Sequence, residues 1–270
     1  MQLDSNLITL AQKIGLDKNK VLLEYMKTFL WSFSYIKKKR LFKNHKKEYM
    51  KLNNRKEFNI NEMKNFPCVD DWQSAAGVLT TYFYQDLWAA RKIFSTGTKK
   101  HFDIGSRVDG FVLSLLPFAN VTLIDIRPLN INVEGLYFLQ ADATNLENIE
   151  DNSIDSLSAL CSLEHFGLGR YGDPIDPEAC FKAFKAIQRV IKMNGKIYIS
   201  VPIATKDGIE FNAHRIFSPQ TIINEFNKVK LLEFNVVKND GRFYENALVN
   251  KDWEKNPLHS DFGLFEFIKI

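Results

Sequence analysis

Asp103, Gly105, Asp125 and Asp142 are the residues of this chain whose types and spacing could hold a ligand. His101-Phe102-Asp103-Ile104-Gly105-Ser106-Arg107 is an apolar run ending in an acid-x-glycine turn, and a second apolar run ends in Asp125 roughly twenty residues later. Glycine at position 105 lets the backbone approach a ligand with no Cβ in the way, and the helix that follows presents free amides and a positive dipole end. An acid at the end of the second run stands where ribose hydroxyls would donate to it. Asp142, after a third run, could accept from an adenine amino group. The Gly-x-Gly-x-x-Gly fingerprint of a pyrophosphate cradle is absent, because Ser106, Arg107, Val108 and Asp109 separate Gly105 from Gly110. The pattern therefore points to a nucleoside-type cofactor held without phosphates. Each acid also has a plainer reading, Asp103 as the cap of the following turn and Asp125 as the partner of Arg127.

These residues need parallel strands to bring them together. Beyond Lys100 short apolar runs alternate with segments of helical length, the pattern of an α/β, doubly wound, mostly parallel sheet. Strands are expected at His101 to Ile104, Val121 to Asp125, Tyr137 to Gln140, Ile154 to Leu160, Lys196 to Val201, Leu231 to Val237 and Leu264 to Ile270. Helices are expected from Asp109 to Leu116, from Pro177 to Lys192 with a stop at Asn194-Gly195, and after Ser218-Pro219, where Ser caps and Pro takes the first turn. In such a sheet ligands sit outside the carboxyl ends of the strands.

The remainder reads as an addition to that core. Helical spacing from Leu3 to Asn53 suggests two or three amphipathic helices, and the polar stretch to Asp71, with Pro67, reads as a linker. The expected division is an N-terminal helical extension over 1–71 and an α/β domain over 72–270, the latter opening with the aromatic-rich segment Trp72 to Ile93. With 270 residues, 45% hydrophobic and 25% charged, the chain is long enough to bury a large core. No apolar stretch approaches the roughly 20 residues of a membrane helix, no signal-peptide block opens the chain, and three scattered cysteines suit a reducing compartment, so a cytoplasmic setting is expected. The net charge of +4 is mild but uneven, with Lys37-Lys38-Lys39-Arg40 and Lys43 to Lys47 forming one basic block.

The order Asp103-x-Gly105, Asp125, Asp142 and then Glu164-His165 resembles the class I S-adenosylmethionine-dependent methyltransferases. More narrowly, Asp103-Ile104-Gly105-Ser106-Arg107-x-Asp109-Gly110-Phe111, the run Gly167 to Pro177 and Phe211-Asn212-Ala213-His214-Arg215 look like a bacterial family known as a domain of unknown function (DUF268-like). That family is associated with surface-polysaccharide gene clusters, and the resemblance covers Tyr82 to Val237. It implies a seven-stranded Rossmann-like sheet and S-adenosyl-L-methionine as cofactor, with S-adenosyl-L-homocysteine as product. Asp103, Gly105 and Ser106 would then lie beside the methionine portion, Asp125 and Ile126 at the ribose, and Asp142 and Ala143 at the adenine. The superfamily usually has a second glycine where Ser106 and Arg107 stand, so this first loop is a variant.

Methyl transfer to a hydroxyl requires alignment of the acceptor, exclusion of water and removal of a proton. His165, at the mouth of the expected cleft, and His214 are the candidate bases, with Glu164 placed to orient an imidazole or bind substrate. His165 could equally anchor its loop through backbone hydrogen bonds. The glycine- and proline-rich run from Gly167 to Pro177 suggests an acceptor-site wall in which Arg170, Tyr171 and Asp173, joined by Asn212 and Arg215, bind substrate. Glu164, His165, Asp173 and Asp176 match no standard ligand spacing, and no metal is expected. The function expected is an O-methyltransferase acting on a small polar acceptor such as a sugar, nucleotide-sugar or related capsule precursor, with no nucleic-acid partner and with homo-oligomerisation left open. The competing expectation is a noncatalytic nucleoside-binding or assembly protein of a polysaccharide pathway that retains the fold.

Overall fold

The computed structural model describes residues 18–58, 60, 68, 79–251, 253 and 261–270. The chain divides into two compact units, Met1–Val78 and Leu79–Ile270. The expected boundary at residue 71, Pro67 and the start of the aromatic segment at Trp72 lie outside the described residues, as do Leu7, Leu10 and Ile14 of the N-terminal pattern. In the first unit the described helix is α1 (Lys18–Leu52), and the two or three helices expected from Leu3 to Asn53 extend into residues outside the described ones. Its 35 residues contain neither Gly nor Pro, so nothing in the local sequence stops propagation. Asn53 ends it, donating through Nδ2 to the Arg55 and Phe58 carbonyls at 3.0 and 3.1 Å.

The second unit is built on one eight-stranded sheet. It opens with α2 (Thr81–Ser95), followed by β1 (Lys100–Ile104), β2 (Asn120–Asp125), β3 (Leu136–Gln140), β4 (Ile154–Leu160) and β5 (Ile191–Ile203). The chain continues through β6 (Gly208–Glu210), β7 (His214–Ile216), β8 (Lys230–Val237), β9 (Phe243–Tyr244) and β10 (Asp261–Ile268). The sheet order is β3-β2-β1-β4-β5-β10-β8-β9, while β6 and β7 form a separate hairpin. Pairing is parallel from β3 to β5, and β10 runs antiparallel between β5 and β8. The sheet thus has one strand more than expected, the two-residue edge strand β9.

Helices cover both faces. On one side α4 (Ala179–Val190) and α5 (Pro219–Glu225) bury Phe184, Ile187, Ile222 and Phe226 against Ile197, Ile199, Phe265 and Phe267. On the other, α2 and the turn after β1 bury Trp88, Ile93, Phe111 and Leu115 against Tyr198 and Leu264. The alternation of Ile197, Tyr198 and Ile199 between faces is the two-residue period of a strand buried on both sides. Ser218 caps α5, its Oγ accepting from Thr221 N at 3.2 Å, with Pro219 in the first turn.

Three element boundaries differ from the sequence pattern. The helix expected from Asp109 to Leu116 is a π turn (Val108–Val112) running into a single α turn, α3 (Leu113–Leu115). The α4 helix stops at Val190, four residues before Asn194-Gly195. Those two residues form a bulge inside β5, where Asn194 adopts φ 62° and its N–H donates to the Lys269 carbonyl at 2.8 Å. Beyond the expected end at Val201, β5 continues through Pro202, whose carbonyl accepts from Phe217 N at 2.9 Å.

Candidate functional site

The carboxyl ends of β1, β2 and β4, with the segments after β3 and β4, enclose a cavity of about 360 Å³ in the second unit. Gly105, Asp125, Ile126, Asp142, Ala143, His165, Tyr171 and Asp173 line it, so eight of the expected site residues converge there. Gly105 has φ +73° and its N–H donates to the Ile124 carbonyl at 3.0 Å. A Cβ at this position would stand 3.1 Å from the Ser162 Cβ, so glycine is required both by the left-handed backbone and by the close approach of the β4 loop.

Asp103 and Ser106 do not line the cavity. Asp103 is fully buried, and its carboxylate accepts from Ser106 N and Ser106 Oγ, both at 2.9 Å, and from Ser158 Oγ. Burial pushes its pKa up to about 6 despite these donors. Asp103 instead caps the turn after β1, because its fully buried carboxylate lies off the cavity lining and turns its oxygens to these internal donors. Two positions earlier on β1, His101 is clamped between Ser156 Oγ and Ser158 Oγ at 2.8 Å each, and burial lowers its pKa to about 3.

Asp125 lines the cavity with part of its capacity already used. Its Oδ1 accepts from Arg127 N at 2.8 Å and Arg127 Nε at 3.0 Å, and its Oδ2 accepts from Arg127 Nη2 at 2.7 Å. Burial alone would raise the carboxyl pKa, but the guanidinium and amide donors outweigh it and hold the group below its ordinary value. Arg127, itself a cavity residue, also lies over the Tyr171 ring with 4.7 Å between Cζ and the centroid. Asp142 Oδ1 caps its own turn, accepting from Thr144 N at 2.8 Å.

The β4 end supplies the most perturbed groups. Cys161 adopts φ 49°, a left-handed conformation unusual outside glycine, and Ser162 Oγ is buried on the cavity wall with no hydrogen-bond partner. His165 lines the cavity, and its Nδ1 donates to the Ala213 carbonyl at 2.7 Å. That bond places the ring proton on Nδ1, leaving Nε2 as a lone-pair acceptor 3.6 Å from Glu164 Oε1. Arg170 Nη1 lies 3.2 Å from the same Nδ1, but both groups are donors there and both point at the Ala213 carbonyl. Burial lowers the His165 pKa to about 4 and raises that of Glu164, whose Oε2 has no partner, to about 8. At neutral pH the pair is an uncharged imidazole beside a protonated carboxyl.

Several expected substrate contacts are scaffold instead. Arg215 is buried and donates to the Phe166 carbonyl at 2.6 Å, the Pro177 carbonyl at 3.0 Å and the Glu164 carbonyl at 3.5 Å. A buried guanidinium spending its donors on three carbonyls pins both ends of the 166–177 loop. Asn212 Nδ2 donates to the Leu168 carbonyl at 3.3 Å, and Asp173 accepts from Gly167 N at 2.7 Å and Tyr171 N at 3.2 Å. Gly167 cannot carry a side chain, since a Cβ would fall 1.9 Å from the Asp176 carbonyl oxygen. Arg170 stacks on Tyr171 at 5.1 Å, and neither it, Glu164, His214, Asn212 nor Arg215 lines the cavity. His214 sits on β7 with its ring 6.3 Å from that of His165 and its Nε2 3.7 Å from Glu210 Oε2. Arg107, Arg127, Ser162 and Phe166 were missed as cavity residues. A serine hydroxyl directly after a strand end was the available signal for Ser162. Among the described residues no group of three or more His, Cys, Asp or Glu is placed to hold a metal ion.

Comparison with known proteins agrees with the geometry at the level of fold. Residues 138–234 match the family described as "Caenorhabditis protein of unknown function, DUF268". The match takes in β4, the 163–177 segment and β7, but not the Asp103 to Phe111 motif, and the description names Caenorhabditis instead of a bacterial or polysaccharide setting. No curated protein matches the chain. The [4+2]-cyclase SpnF superposes with a TM-score of 0.52 at 16% identity, over 70% of this chain and 81% of that one. The N-methyltransferase NodS from Bradyrhizobium japonicum WM9, in complex with S-adenosyl-L-homocysteine, gives 0.47 at 12% identity over 69% and 86%. The 1,6-didemethyltoxoflavin-N1-methyltransferase from Burkholderia thailandensis gives 0.48 at 14% identity over 74% and 81%. The second unit of the chain has an α/β fold on a mostly parallel sheet, shared with SpnF.

Proposed function

We propose that this protein is an S-adenosyl-L-methionine-dependent methyltransferase acting on the hydroxyl of a small polar acceptor. The observation that carries the reading is the cavity at the strand ends, which the Gly105 turn, Asp125, Asp142 and the neutral His165 imidazole all line. The buried, unpartnered Ser162 Oγ fits a polar ligand there, since an orphaned hydroxyl in an otherwise satisfied wall costs about 1–3 kcal/mol until something bonds to it. Asp125 would accept from the ribose hydroxyls while keeping Arg127, Asp142 and Ala143 would border the adenine, and Gly105 and Ser162 would flank the methionine portion. When bound, the cofactor supplies an electrophilic methyl group on a sulfonium.

The chain's own work is to orient and to take a proton. His165 is fixed through Nδ1 and presents Nε2 as the acceptor for the proton of a hydroxyl substrate. Glu164, protonated at neutral pH, becomes a better partner for the resulting imidazolium once ionised, so it tunes His165 without touching substrate. Tyr171 lines the cavity and carries the guanidinium groups of both Arg127 and Arg170 against its ring, which ties the β2 end to the loop after β4. His214, on the hairpin behind His165, is a second candidate for the base. We read the acceptor as sugar-linked, a nucleotide-sugar or related precursor, because the cavity offers polar and cationic groups, Arg107 and Arg127 among them, at its rim.

The reading is tested by incubating the protein with S-adenosyl-L-methionine and a panel of sugar nucleotides while following S-adenosyl-L-homocysteine release. Turnover that disappears in His165→Ala but survives in His214→Ala supports it. Cofactor binding without turnover on any hydroxyl acceptor supports the alternative, a nucleoside-binding assembly protein, for which the variant first loop, Ser106-Arg107 where a second glycine is usual, is the favouring feature.

A further inference from the structure

Three carboxyl groups stand next to the part of the cavity wall formed by Gly105, Cys161 and Ser162, namely Asp86 on α2, Asp103 on β1 and Glu164 after β4. Gln85, buried on α2, ties Asp86 to that wall. Its Oε1 accepts from Cys161 Sγ at 3.0 Å and Ser200 Oγ at 2.6 Å, and its Nε2 donates to Asp86 Oδ1 at 3.1 Å. A Cβ on Gly110 would stand 3.0 Å from Asp86 Oδ2, so the glycine lets this carboxylate pack on the turn after β1. Asp103 holds the same turn through Ser106, and Glu164 is buried with Oε2 unpartnered. Ser162 Oγ, on a residue only 6% exposed, also lacks a partner and would lie 3.7 Å from a Cβ on Gly105. Among the described residues no Lys or Arg forms an ion pair with Asp86, Asp103 or Glu164. The cations that act on them are engaged elsewhere. Arg107 forks onto Asp109 at 3.0 and 2.8 Å, and Arg170 donates to the Ala213 carbonyl at 3.1 Å.

The other groups facing these acids are uncharged at neutral pH: the Cys161 thiol and Tyr82 phenol, both raised by burial, and the His165 imidazole, lowered to about 4. Burial pushes Asp86 and Asp103 up to about 6 and Glu164 up to about 8, and Asp86 raises Asp103 further. A desolvated carboxyl in this condition is stabilised as the anion by a cation brought beside it. The orphaned Ser162 hydroxyl and Glu164 Oε2 are polar atoms at the same place that a ligand would complete. We propose that Asp86, Asp103 and Glu164 form an electrostatic subsite for a cation at the position of the cofactor's sulfur, by which the chain prefers the sulfonium cofactor to its neutral sulfide product. The inference rests on the cofactor reading, which sets the methionine portion against Gly105 and Ser162, and deepens it. A positive charge at the sulfur lowers the pKa of each neighbouring carboxyl, so protons leave as the sulfonium binds. The preference therefore grows as pH rises from about 6 to 8, and it vanishes once the sulfur is neutral.

Calorimetric titration of the full chain with three ligands tests it: S-adenosyl-L-methionine, S-adenosyl-L-homocysteine, and sinefungin, which bears an amine-substituted carbon where the sulfonium stands. All three share the α-ammonium and the nucleoside, so differences among them report the sulfur position. Both cationic ligands should bind about tenfold tighter than S-adenosyl-L-homocysteine at pH about 8, and the ratio should grow at least about fivefold between pH about 6 and 8.5. Titrations in buffers of different ionisation enthalpy should show proton release with the cationic ligands and not with S-adenosyl-L-homocysteine. Asp86→Asn, which keeps an oxygen for Gln85 Nε2, should cut the preference about threefold or more, and Glu164→Gln should flatten its pH dependence. S-adenosyl-L-homocysteine affinity within about twofold of wild type serves as the folding control, and where a variant fails it the wild-type pH series decides. Equal affinity for the three ligands across the pH range, a gain by S-adenosyl-L-methionine that sinefungin does not share, or a preference undiminished in both variants would overturn the proposal and leave the cofactor reading standing. No binding of any of the three to folded protein would overturn the cofactor reading and this inference with it.

Discussion

Asp125 and Arg127 form a two-pronged ion pair at the mouth of the cavity, Oδ1 to Nε at 3.0 Å and Oδ2 to Nη2 at 2.7 Å. The pair sits at the end of β2, where the second acid of the sequence pattern was expected to face a ribose. Oδ1 accepts from both Arg127 N and Arg127 Nε and Oδ2 from Nη2 alone, so the pairing orients Asp125 and leaves Oδ2 with a lone pair for a ligand. Asp125→Ala should therefore weaken cofactor binding by about 1–3 kcal/mol, read by calorimetric titration. Arg127→Ala should cost clearly less, and an unchanged affinity in Asp125→Ala would remove that residue from the ribose role.

Gly105→Ala is expected to damage both stability and binding. The left-handed backbone at φ +73° and the contact of 3.1 Å to Ser162 together predict a loss of about 1–3 kcal/mol in urea unfolding. A variant with wild-type stability would mean that the turn can relax and that the close approach to the β4 loop is not maintained.

The Glu164–His165 pair predicts two pH dependences. Glu164 binds its proton more tightly folded than unfolded, about 8 against an ordinary 4.5, so its contribution to stability is complete below pH about 4.5 and is lost as pH rises toward 8. Between those limits the thermal midpoint of the wild type should fall relative to that of Glu164→Gln, which isolates this group from His165 and His101, whose lowered pKa values act in the opposite direction. In turnover, kcat/KM should rise through pH about 8 as the ionised carboxylate strengthens His165, and Glu164→Gln should remove the rise while leaving a residual rate.

Arg215→Ala should destabilise the 166–177 loop instead of weakening acceptor affinity alone. Removing a buried guanidinium that serves the Phe166, Pro177 and Glu164 carbonyls should cost more than about 2 kcal/mol and open the loop to limited proteolysis. Intact protease resistance with only a raised KM would restore Arg215 to a substrate-binding role.

Where side-chain chemistry follows directly from strand periodicity, the sequence was readable. The runs ending at Asp103, Asp125 and Gln140 are β1, β2 and β3 in neighbouring parallel register, and their ends do meet at one cavity. Capping by Ser218-Pro219 was legible because its signals are local. Asp103 kept two readings because a buried acid after an apolar run looks the same whether it faces a ligand or caps a turn; the structure shows the cap, with Ser106 as the local donor and Ser158, 55 residues away, as the distant one. Arg215 was misread because its carbonyl partners are 38 to 51 residues distant. Asn194-Gly195 misled because a left-handed asparagine serves a helix stop and a strand bulge equally well.

Calorimetric titration of the full chain with S-adenosyl-L-homocysteine, repeated on Asp125→Ala, tests the cofactor assignment most directly. The account predicts one site per chain with a dissociation constant on the order of 1–100 μM, weakened about fivefold or more by the substitution. No binding at high micromolar ligand to a protein shown to be folded, or equal binding by wild type and Asp125→Ala, would contradict it.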